Sequence, residues 1–379
     1  MRRYLLLLVT FFWNISLVFG GHTAALSHSR KVCSTAATAG TARCHAIVLT
    51  DSDGVEPMTS HTPQGYSPAA FKAAYGSRGA AATKAGIVVA YDAPTVASDL
   101  AVFSKTFGLP VLPTCTSAAQ LGCFEKLDQR GGTSYPATNS SWAVEASLDV
   151  ESVHGMCSSC RISLYEANSP SLTNLSTAAA TAISNGAKVV SNSYGGPEYT
   201  GETAYDSRYR KAGVIVLVSS GDNGYGTNYP AANNNIVAVG GTTLKMSGSK
   251  VLSETAWEGA GSGCSAYENK PAWQHDKKCQ MRSIADIAAD ADPASGAAIY
   301  DSYASGGRSG WFTVGGTSLA APLVAGMVAA SQATNLPAQL YTGSTGVIRD
   351  IISGSNGSCG SYLCRAATGY DGPTGLGVL

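Results

Sequence analysis

Short runs of apolar, β-branched residues alternate with helix-forming stretches along most of this chain, and this alternation constrains the fold more than any other feature. Such alternation is typical of a parallel sheet that is covered by helices on both faces. We therefore predict an α/β fold, with functional residues in the loops at the carboxyl ends of the strands. The predicted strands lie at residues 86–91, 188–193 and 213–219, and the predicted helices at 96–107, 177–185 and 202–212.

The segment from Gly315 to Gly326 places a serine in a setting typical of a nucleophile. Ser318 follows two glycines and a threonine and precedes an apolar stretch that predicts a helix. A hydroxyl at a helix N-terminus lies beside free backbone N–H groups, which can also face a developing oxyanion. We predict Pro322 in the first helical turn, where its missing N–H does least harm. An ordinary N-cap serine has the same local pattern.

A serine nucleophile needs a base, and histidine is the usual one. Of the six histidines, four lie before residue 65 and one lies in the charged stretch around residue 275. His154 borders a helical stretch, and we expect it to be a partly exposed histidine at a helix end.

Two acidic side chains are better candidates for the base. Glu145 and Asp149 are four residues apart, so on a helix they share one face. Two carboxyl groups in a cleft can share a proton and split their pKa values, which gives a base that works at low pH. A solvated acidic face is the alternative, but the apolar neighbours Trp142, Val144 and Leu148 favour burial.

Three motifs taken together resemble the sedolisin family of serine-carboxyl peptidases: Glu145-x-x-x-Asp149, Ser220-Gly-Asp222-x-Gly224 and Gly315-Gly-Thr-Ser318. The resemblance implies that Ser318 is the nucleophile, that Glu145 is its general base and that Asp149 supports and orients Glu145. It implies that Asp222 stabilises the oxyanion of the tetrahedral intermediate. A carboxyl group donates a hydrogen bond only when it is protonated, so this role requires a raised pKa or an acidic medium. An acid-acting endopeptidase is the expected function.

The resemblance extends from about residue 65 to the C-terminus. It implies one peptidase domain at 65–379 with a subtilisin-like, three-layer α/β/α fold and a mainly parallel central sheet. It also implies that Ser193, Tyr194, Gly195 and Gly196 bind an extended polypeptide substrate through backbone hydrogen bonds.

The C-terminal segment resembles the calcium site of the same family. Calcium prefers carboxylate and carbonyl oxygens. The resemblance implies one structural Ca²⁺ ion that is bound by the side chains of Asp350 and Asp371 and by the backbone carbonyls of Ile351, Ala367 and Gly369. Aspartates in glycine-rich turns are otherwise common turn residues.

The ten cysteines fall as close neighbours in the sequence, and their number is even. Five local disulfides in an oxidising compartment are the simplest hypothesis. Cys157 and Cys160 have a C-x-x-C spacing that also suits a redox or metal half-site, although we favour a structural bridge. The predicted pairs are Cys33 with Cys44, Cys115 with Cys123, Cys157 with Cys160, Cys264 with Cys279, and Cys359 with Cys364.

The N-terminus predicts export from the cell. Two arginines precede an apolar run, which is typical of a cleaved signal peptide at residues 1–20. A retained membrane anchor is the alternative, but it needs about 20 apolar residues. We expect a secreted protein. Residues 21–64 show no sustained hydrophobic periodicity, and we expect them to form a short N-terminal extension. The resemblance implies a long propeptide, whereas only this extension separates the signal peptide from the peptidase domain.

The charge balance argues against two classes of partner. The formal net charge is 0, from 25 basic and 25 acidic residues, so neither nucleic acid nor an anionic membrane is an expected partner. We expect polypeptide substrates and a monomer. Charged residues make up only 13% of the chain, which limits the repulsion that acidification creates.

Two other functions are compatible with these motifs. The first is a neutral subtilisin-like protease that uses His154 as its base. The second is a catalytically silent, secreted binding protein with a peptidase fold.

Overall fold

The computed structural model describes residues 28–33, 35–76, 81–276, 278–305, 307–331, 336–343 and 348–379. The predicted signal peptide and the first residues of the predicted extension lie outside these ranges.

Seventeen strands and six α-helices make up the regular structure of the described residues. The strands are β1 (Ser29–Lys31), β2 (Arg43–Cys44), β3 (Ile47–Leu49), β4 (Thr59–Ser60), β5 (Lys84–Ala90), β6 (Phe124–Asp128), β7 (Arg161–Ala167), β8 (Val189–Asn192), β9 (Tyr194–Gly195), β10 (Ile215–Ser219), β11 (Val237–Ser247), β12 (Lys250–Ala256), β13 (Gly263–Asn269), β14 (Met281–Ile284), β15 (Ile287–Asp290), β16 (Ala297–Ser305) and β17 (Arg308–Gly315). The helices are α1 (Pro68–Tyr75), α2 (Val96–Phe107), α3 (Ser140–Met156), α4 (Leu172–Ser184), α5 (Thr317–Ser331) and α6 (Leu336–Thr342).

The central sheet has the order β12-β11-β10-β8-β5-β7-β6, with β15 paired to β11. Every ladder in it is parallel except the one between β11 and β12. The strands β5, β8 and β10 are almost entirely buried, as expected for apolar runs that are covered on both faces. The α/β class predicted from the alternating pattern is confirmed.

A second, antiparallel sheet lies beside the central one and contains the N-terminal strands. Its order is β1-β3-β17-β16, with β4 also paired to β17. The strand β2 pairs with β9 instead, directly after β8 of the central sheet. The described part of the predicted extension is therefore not irregular, because it contains four short strands that are paired with the rest of the chain or with one another.

Helices α3 and α5 pack against each other in the core. Their closest approach is at Gly326 of α5, where a Cβ atom would lie only 2.6 Å from the Cβ of Met156 and 2.9 Å from the carbonyl oxygen of Val153. Only glycine permits this distance. The residues of α3 are buried from Trp142 to Met156, on every side of the helix. A helix buried all round lies in the core, so the carboxyl groups that it carries are removed from bulk water.

Two local predictions are wrong in detail. The stretch predicted as a helix at 202–212 is a 3₁₀ helix (Glu202–Tyr209), and only its first and last residues are buried. Without an apolar stripe, such a segment gains little from forming an α-helix. Pro322 lies in the second turn of α5 rather than the first, because α5 begins immediately after Gly316.

All five predicted disulfides are present, and Cys157 and Cys160 form one of them. In the described part of the chain, no single helix is both long and apolar enough to cross a membrane. Only α5 and α6, taken as one pair bent by 92°, meet those criteria.

Candidate active site

Helix α3 presents Glu145 and Asp149 to one cleft. The helix begins after Asn139, whose side chain accepts hydrogen bonds from the backbone N–H groups of Ser141 and Trp142, both at 3.1 Å. Both carboxyl groups are fully buried. This burial agrees with the apolar neighbours in the sequence and excludes a solvated acidic face.

The Glu145 carboxyl lies in the cleft without a strong partner. No hydrogen bond of ordinary geometry reaches either of its oxygens from the described residues. Burial raises the pKa of Glu145 well above its usual value, and repulsion from Asp149 raises this pKa further. The Ser318 hydroxyl and the Ala46 N–H lie close enough to oppose these effects in part. A carboxyl in this setting can take up and release a proton near the serine.

Asp149 lies four residues after Glu145 on α3 and is equally buried. Its Oδ1 accepts a hydrogen bond from the Ser193 hydroxyl at 2.6 Å, and burial raises its pKa well above the usual value. Asp149 acts on Glu145 through charge rather than through a direct hydrogen bond, because repulsion between the two groups is one cause of the raised Glu145 pKa.

Ser318 is placed by a turn between β17 and α5. Gly316 makes this turn with φ of 91°, and its N–H donates to the Ala291 carbonyl at 2.5 Å. Ser318 is the second residue of α5 and is fully buried. Its hydroxyl donates to the Ser193 carbonyl oxygen at 3.2 Å rather than to a group of its own helix. Ser318 is therefore not an ordinary capping residue.

Asp222 lies in the loop after β10 and faces the same turn. Its Oδ1 accepts hydrogen bonds from the backbone N–H of Thr317 at 2.8 Å and from the Thr317 hydroxyl at 2.7 Å. Its Oδ2 has no partner within the described ranges and lies 2.7 Å from the position that a Cβ atom at Gly316 would take. Burial raises the pKa of Asp222 to about 7. Since Oδ1 already accepts two hydrogen bonds, the proton of the neutral acid belongs on Oδ2, which can then donate into the cleft.

The predicted substrate-binding strand also borders this cleft. Ser193 contacts Asp149 through its hydroxyl and Ser318 through its carbonyl. Tyr194 and Gly195 form β9, which pairs antiparallel with β2 of the same chain. Gly196 follows, and a Cβ atom there would lie 2.1 Å from the carbonyl oxygen of Thr41. An extended peptide therefore does lie along this strand, and it comes from the N-terminal segment.

His154 is not placed to act on Ser318. It is fully buried, so the expectation of a partly exposed histidine is wrong. Its Nε2 is hydrogen-bonded to the Pro110 carbonyl at 3.0 Å, and burial lowers its pKa to about 4. This histidine stabilises the contact between the end of α3 and the loop after α2.

Two residues of the site were not predicted from the sequence. Thr317 holds Asp222 in place, and its position beside Ser318 in the Gly-Thr-Ser motif was the only signal for it. His45 is 2% exposed, and one of its ring nitrogens, Nδ1, is hydrogen-bonded to the Ser219 hydroxyl at 2.7 Å. Nothing in the sequence around His45 distinguishes it from the other N-terminal histidines.

The residues predicted to bind calcium lie together near the C-terminus. Asp350 accepts a hydrogen bond from the Gly369 N–H at 2.8 Å, and Asp371 accepts one from the Ala367 N–H at 2.9 Å. Burial raises the pKa of Asp371 to about 7, and the nearby Asp350 contributes to this increase. Ile351 follows Asp350 and is buried. In the ranges that the structure covers, no cluster of three or more His, Cys, Asp or Glu side chains could hold a metal, so a site here depends on backbone carbonyls.

Comparisons with known proteins agree with the fold. The model of the subtilase family (Peptidase_S8) matches residues 133–358. Sedolisin of Pseudomonas sp. (strain 101) is 29% identical over 89% of this chain and 64% of its own length. Kumamolisin of Bacillus sp. (strain MN-32) is 30% identical over 62% of this chain and 48% of its own length. A structure of Pseudomonas sedolisin complexed with two molecules of pseudo-iodotyrostatin has a TM-score of 0.71 at 28% identity, and the match covers 84% of this chain and 96% of that one.

The family model covers more than half of the chain, and the sedolisin structure matches the fold over 84% of it. The chain belongs to the subtilase family, and its predicted resemblance to the sedolisins is confirmed. The expected subtilisin-like, three-layer α/β/α fold is confirmed. The chain spans less than two thirds of the length of the two curated relatives described above.

Proposed function

We propose that this protein is an acid-acting endopeptidase in which Ser318 is the nucleophile, Glu145 is the general base, Asp149 supports Glu145 and Asp222 stabilises the oxyanion. The observation that carries the proposal is the position of Asp222. Its partnerless Oδ2 lies against Gly316, two residues before Ser318, in the cleft that also contains Glu145. Asp222 uses Oδ1 to hold the turn that leads to Ser318, and its Oδ2 is left free beside that turn.

The chemistry follows from the positions of these groups. Ser318 Oγ attacks a peptide carbonyl carbon, and its proton passes to the carboxylate of Glu145. The carbonyl oxygen becomes negative and accepts a hydrogen bond from neutral Asp222. Glu145 then gives the proton to the departing amine, and water hydrolyses the acyl-enzyme. Burial, together with repulsion from Asp149, keeps the pKa of Glu145 high enough for this proton to be held between the two steps.

The raised pKa of Asp222 supports activity at acidic pH. At a pH below about 7 this side chain is mostly neutral and can donate its proton to the oxyanion. Above that pH it is an anion beside a developing anion, and the two repel each other. The same burial that creates the neutral acid therefore sets an upper pH limit for catalysis.

Polypeptides are the substrates, because the strand from Ser193 to Gly196 offers backbone groups to an extended chain. The five disulfides support secretion, since such bonds persist in oxidising compartments. The apolar N-terminal run predicts the signal for export. We expect the protein to act as a monomer.

The aspartates near the C-terminus support one structural Ca²⁺ ion. Asp350 Oδ1 is buried and makes no hydrogen bond within the described segments. Burial raises the pKa of Asp371, and repulsion from the neighbouring Asp350 adds to this increase. A cation between the two carboxylates would relieve this repulsion and give Asp350 Oδ1 a partner. The carbonyls of Ile351, Ala367 and Gly369 would complete the set of oxygen ligands that calcium prefers. The ion would stabilise the C-terminal loops and take no part in catalysis.

The test of the proposed activity is the hydrolysis of denatured casein by the purified protein over a range of pH. We expect activity in acidic buffer and its loss in Ser318→Ala. The matched control is Ser98→Ala, which removes an exposed hydroxyl that donates only to the Thr95 carbonyl. Full activity in Ser318→Ala, or a maximum near neutral pH that is lost in His154→Ala, would contradict the assignment.

A further inference from the structure

The Glu198 side chain connects the proposed substrate-binding strand to the loop that carries Asp222. Glu198 lies two residues after Gly196, the last residue of that strand. Its Oε2 accepts a hydrogen bond from the hydroxyl of Thr227, which follows Asp222 in the loop after β10. The backbones of Gly196 and Tyr229 also pair, with each N–H donating to the other residue's carbonyl at 2.9 Å. The strand and the loop are therefore joined twice, by the backbone at Gly196 and by a side chain at Glu198.

The same carboxyl group also contacts strand β13. Glu198 Oε1 accepts a hydrogen bond from the Ser265 hydroxyl, and its Oε2 accepts a longer one from the Ala266 N–H at 3.4 Å. The Ser265 hydroxyl oxygen is itself fixed, because it accepts hydrogen bonds from the N–H groups of Tyr267 and Glu268 at 3.1 and 2.9 Å. Hydrogen bonds to a charged carboxylate are stronger than those to a neutral acceptor. Glu198 thus holds together three parts of the chain that lie far apart in the sequence.

A second carboxyl group supports Glu198. Glu202 begins the 3₁₀ helix and is fully buried. Its Oε2 accepts a hydrogen bond from the Tyr199 N–H at 2.7 Å, whereas its Oε1 has no donor among the described residues. Burial, and then the nearby charge of Glu198, raise the pKa of Glu202 to about 9. Glu202 is therefore neutral in acidic medium, and a proton on its free Oε1 can be donated to the Glu198 carboxylate.

The groups that surround this pair favour a neutral Glu202. Glu268 of β13 adds to the increase in the pKa of Glu202, and burial, with repulsion from Asp206, raises the pKa of Glu268 itself to about 8. Arg282 of β14 lowers the pKa of Glu268, but its guanidinium already donates to Asp286 at 2.7 Å. Protons must therefore offset much of the repulsion among these carboxyl groups.

The other end of the 3₁₀ helix contacts the same strand and the same loop. Tyr209 is the second buried residue of this helix, and its hydroxyl lies 3.4 Å from the hydroxyl of Tyr194 in the proposed substrate-binding strand. The Tyr209 ring packs edge to face against the Tyr229 ring, with 6.5 Å between their centroids. The two buried residues of a helix that has no apolar stripe are therefore the ones that support the strand and the loop.

We propose that Glu198 is a positioning residue for substrate binding: its carboxylate fixes the substrate-binding strand to the loop after β10, and neutral Glu202 holds that carboxylate in place. The inference rests on the proposed function. Within the described ranges, the Glu198 side chain makes no hydrogen bond to Ser318 or Glu145, so it acts through the strand. A strand whose shape is already fixed loses less conformational entropy when a peptide pairs with it, and this raises its affinity.

The expected signature is a change in KM without a matching change in kcat. Backbone pairing with the strand is the same in the bound substrate and in the transition state, so weakening it raises KM and leaves kcat unchanged. At acidic pH with a peptide substrate, we expect Glu198→Ala to raise KM about tenfold and to change kcat by less than about twofold. Glu198→Gln keeps one acceptor oxygen, so its KM should rise only about threefold. Glu258→Ala is the control, because Glu258 is an exposed glutamate, and both of its constants should stay unchanged.

A double-mutant cycle tests whether one contact carries the effect. Thr227→Val removes the hydroxyl that donates to Glu198 and keeps the shape of the side chain, and we expect KM to rise about threefold. Adding Thr227→Val to Glu198→Ala should change KM by less than about twofold more, because the contact is already lost. If the two increases in KM multiply instead, the residues act independently and the proposal is wrong. Should Glu198→Ala fail to fold, Glu198→Gln and Thr227→Val decide the question, because both keep the side-chain volume.

The outcomes separate this inference from the proposed function. Wild-type KM values in Glu198→Gln and Thr227→Val, or a loss that falls on kcat instead of KM, would overturn the inference and leave the peptidase assignment intact. A wild-type chain that hydrolyses no peptide in acidic buffer would overturn the peptidase assignment, and this inference with it.

Discussion

The contact between Thr317 and Asp222 permits a test of the oxyanion assignment that does not remove a catalytic group. The Thr317 hydroxyl donates to Asp222 Oδ1 at 2.7 Å and stabilises the charged carboxylate. Replacing it by the isosteric valine removes this hydrogen bond, and with it the one that the hydroxyl accepts from the Gly221 N–H at 3.1 Å. We therefore expect the pKa of Asp222 to rise further in Thr317→Val, and the neutral, donating form to persist to higher pH.

The magnitude follows from the pKa of Asp222, which is about 7. At about pH 5 about 99% of the Asp222 side chains are neutral, and at about pH 8 about 10% are neutral. Well above its pKa, kcat should therefore fall about tenfold for each further pH unit. A hydrogen bond favours the charged partner by about 1 kcal/mol more than the neutral one, which corresponds to a pKa change of about 0.7. The alkaline limb of the kcat profile should therefore move to higher pH by the same amount as the pKa.

The assay is the pH dependence of kcat with a peptide substrate. Thr83→Val is the control, because it removes a threonine hydroxyl that donates to the Ala329 carbonyl of α5 and does not contact a carboxyl group. An alkaline limb that stays in place in Thr317→Val, or that moves to lower pH, would refute the argument that neutral Asp222 stabilises the oxyanion.

Three further predictions concern the buried carboxyl groups. Glu145→Gln should lower kcat by about 100-fold to 10,000-fold, because it removes the general base, whereas Glu151→Gln on the same helix should remain active. Similar losses in these two variants would mean that the effect is structural. The free energy of unfolding should be larger at about pH 5 than at about pH 8, because burial raises the pKa of Glu166 to about 8 and that of Asp301 to about 7, so the folded state binds more protons than the unfolded state in this interval. Urea unfolding at the two pH values checks the sign, and greater stability at the higher pH would contradict it. Calcium at about a hundredfold excess over its Kd should stabilise the fold by about 2.7 kcal/mol, and Asp371→Asn should remove this gain in thermal melts, whereas an equal gain in both proteins would place the ion elsewhere.

The regular part of the fold could be predicted from local patterns. The helix predicted at Val96 to Phe107 has these bounds in the structure, and the apolar runs became the central strands β5, β8 and β10. Each of these elements buries a face that is visible in its own sequence. The 3₁₀ helix from Glu202 to Tyr209 was not predicted, because its sequence has no apolar stripe and its shape depends on the surroundings.

The sequence indicated the site residues to different degrees. The spacing of Glu145 and Asp149 places them on one face of any helix, so their pairing required no knowledge of the fold. Asp222 stands in an ordinary Gly-Asp-Asn-Gly turn, and only the family resemblance distinguished it. The position of His45 depends on the pairing of β2 with β9, which lie about 150 residues apart in the chain. Strands of two residues carry no periodic signal, so their partners are set by tertiary contacts.

The continuity of β2 and β3 has a consequence for how the cleft is kept closed. The segment is tethered on both sides of Ser318 by the chain itself, and its effective concentration at the cleft is in the range of about millimolar. A dilute external polypeptide does not compete with an occupant at that concentration.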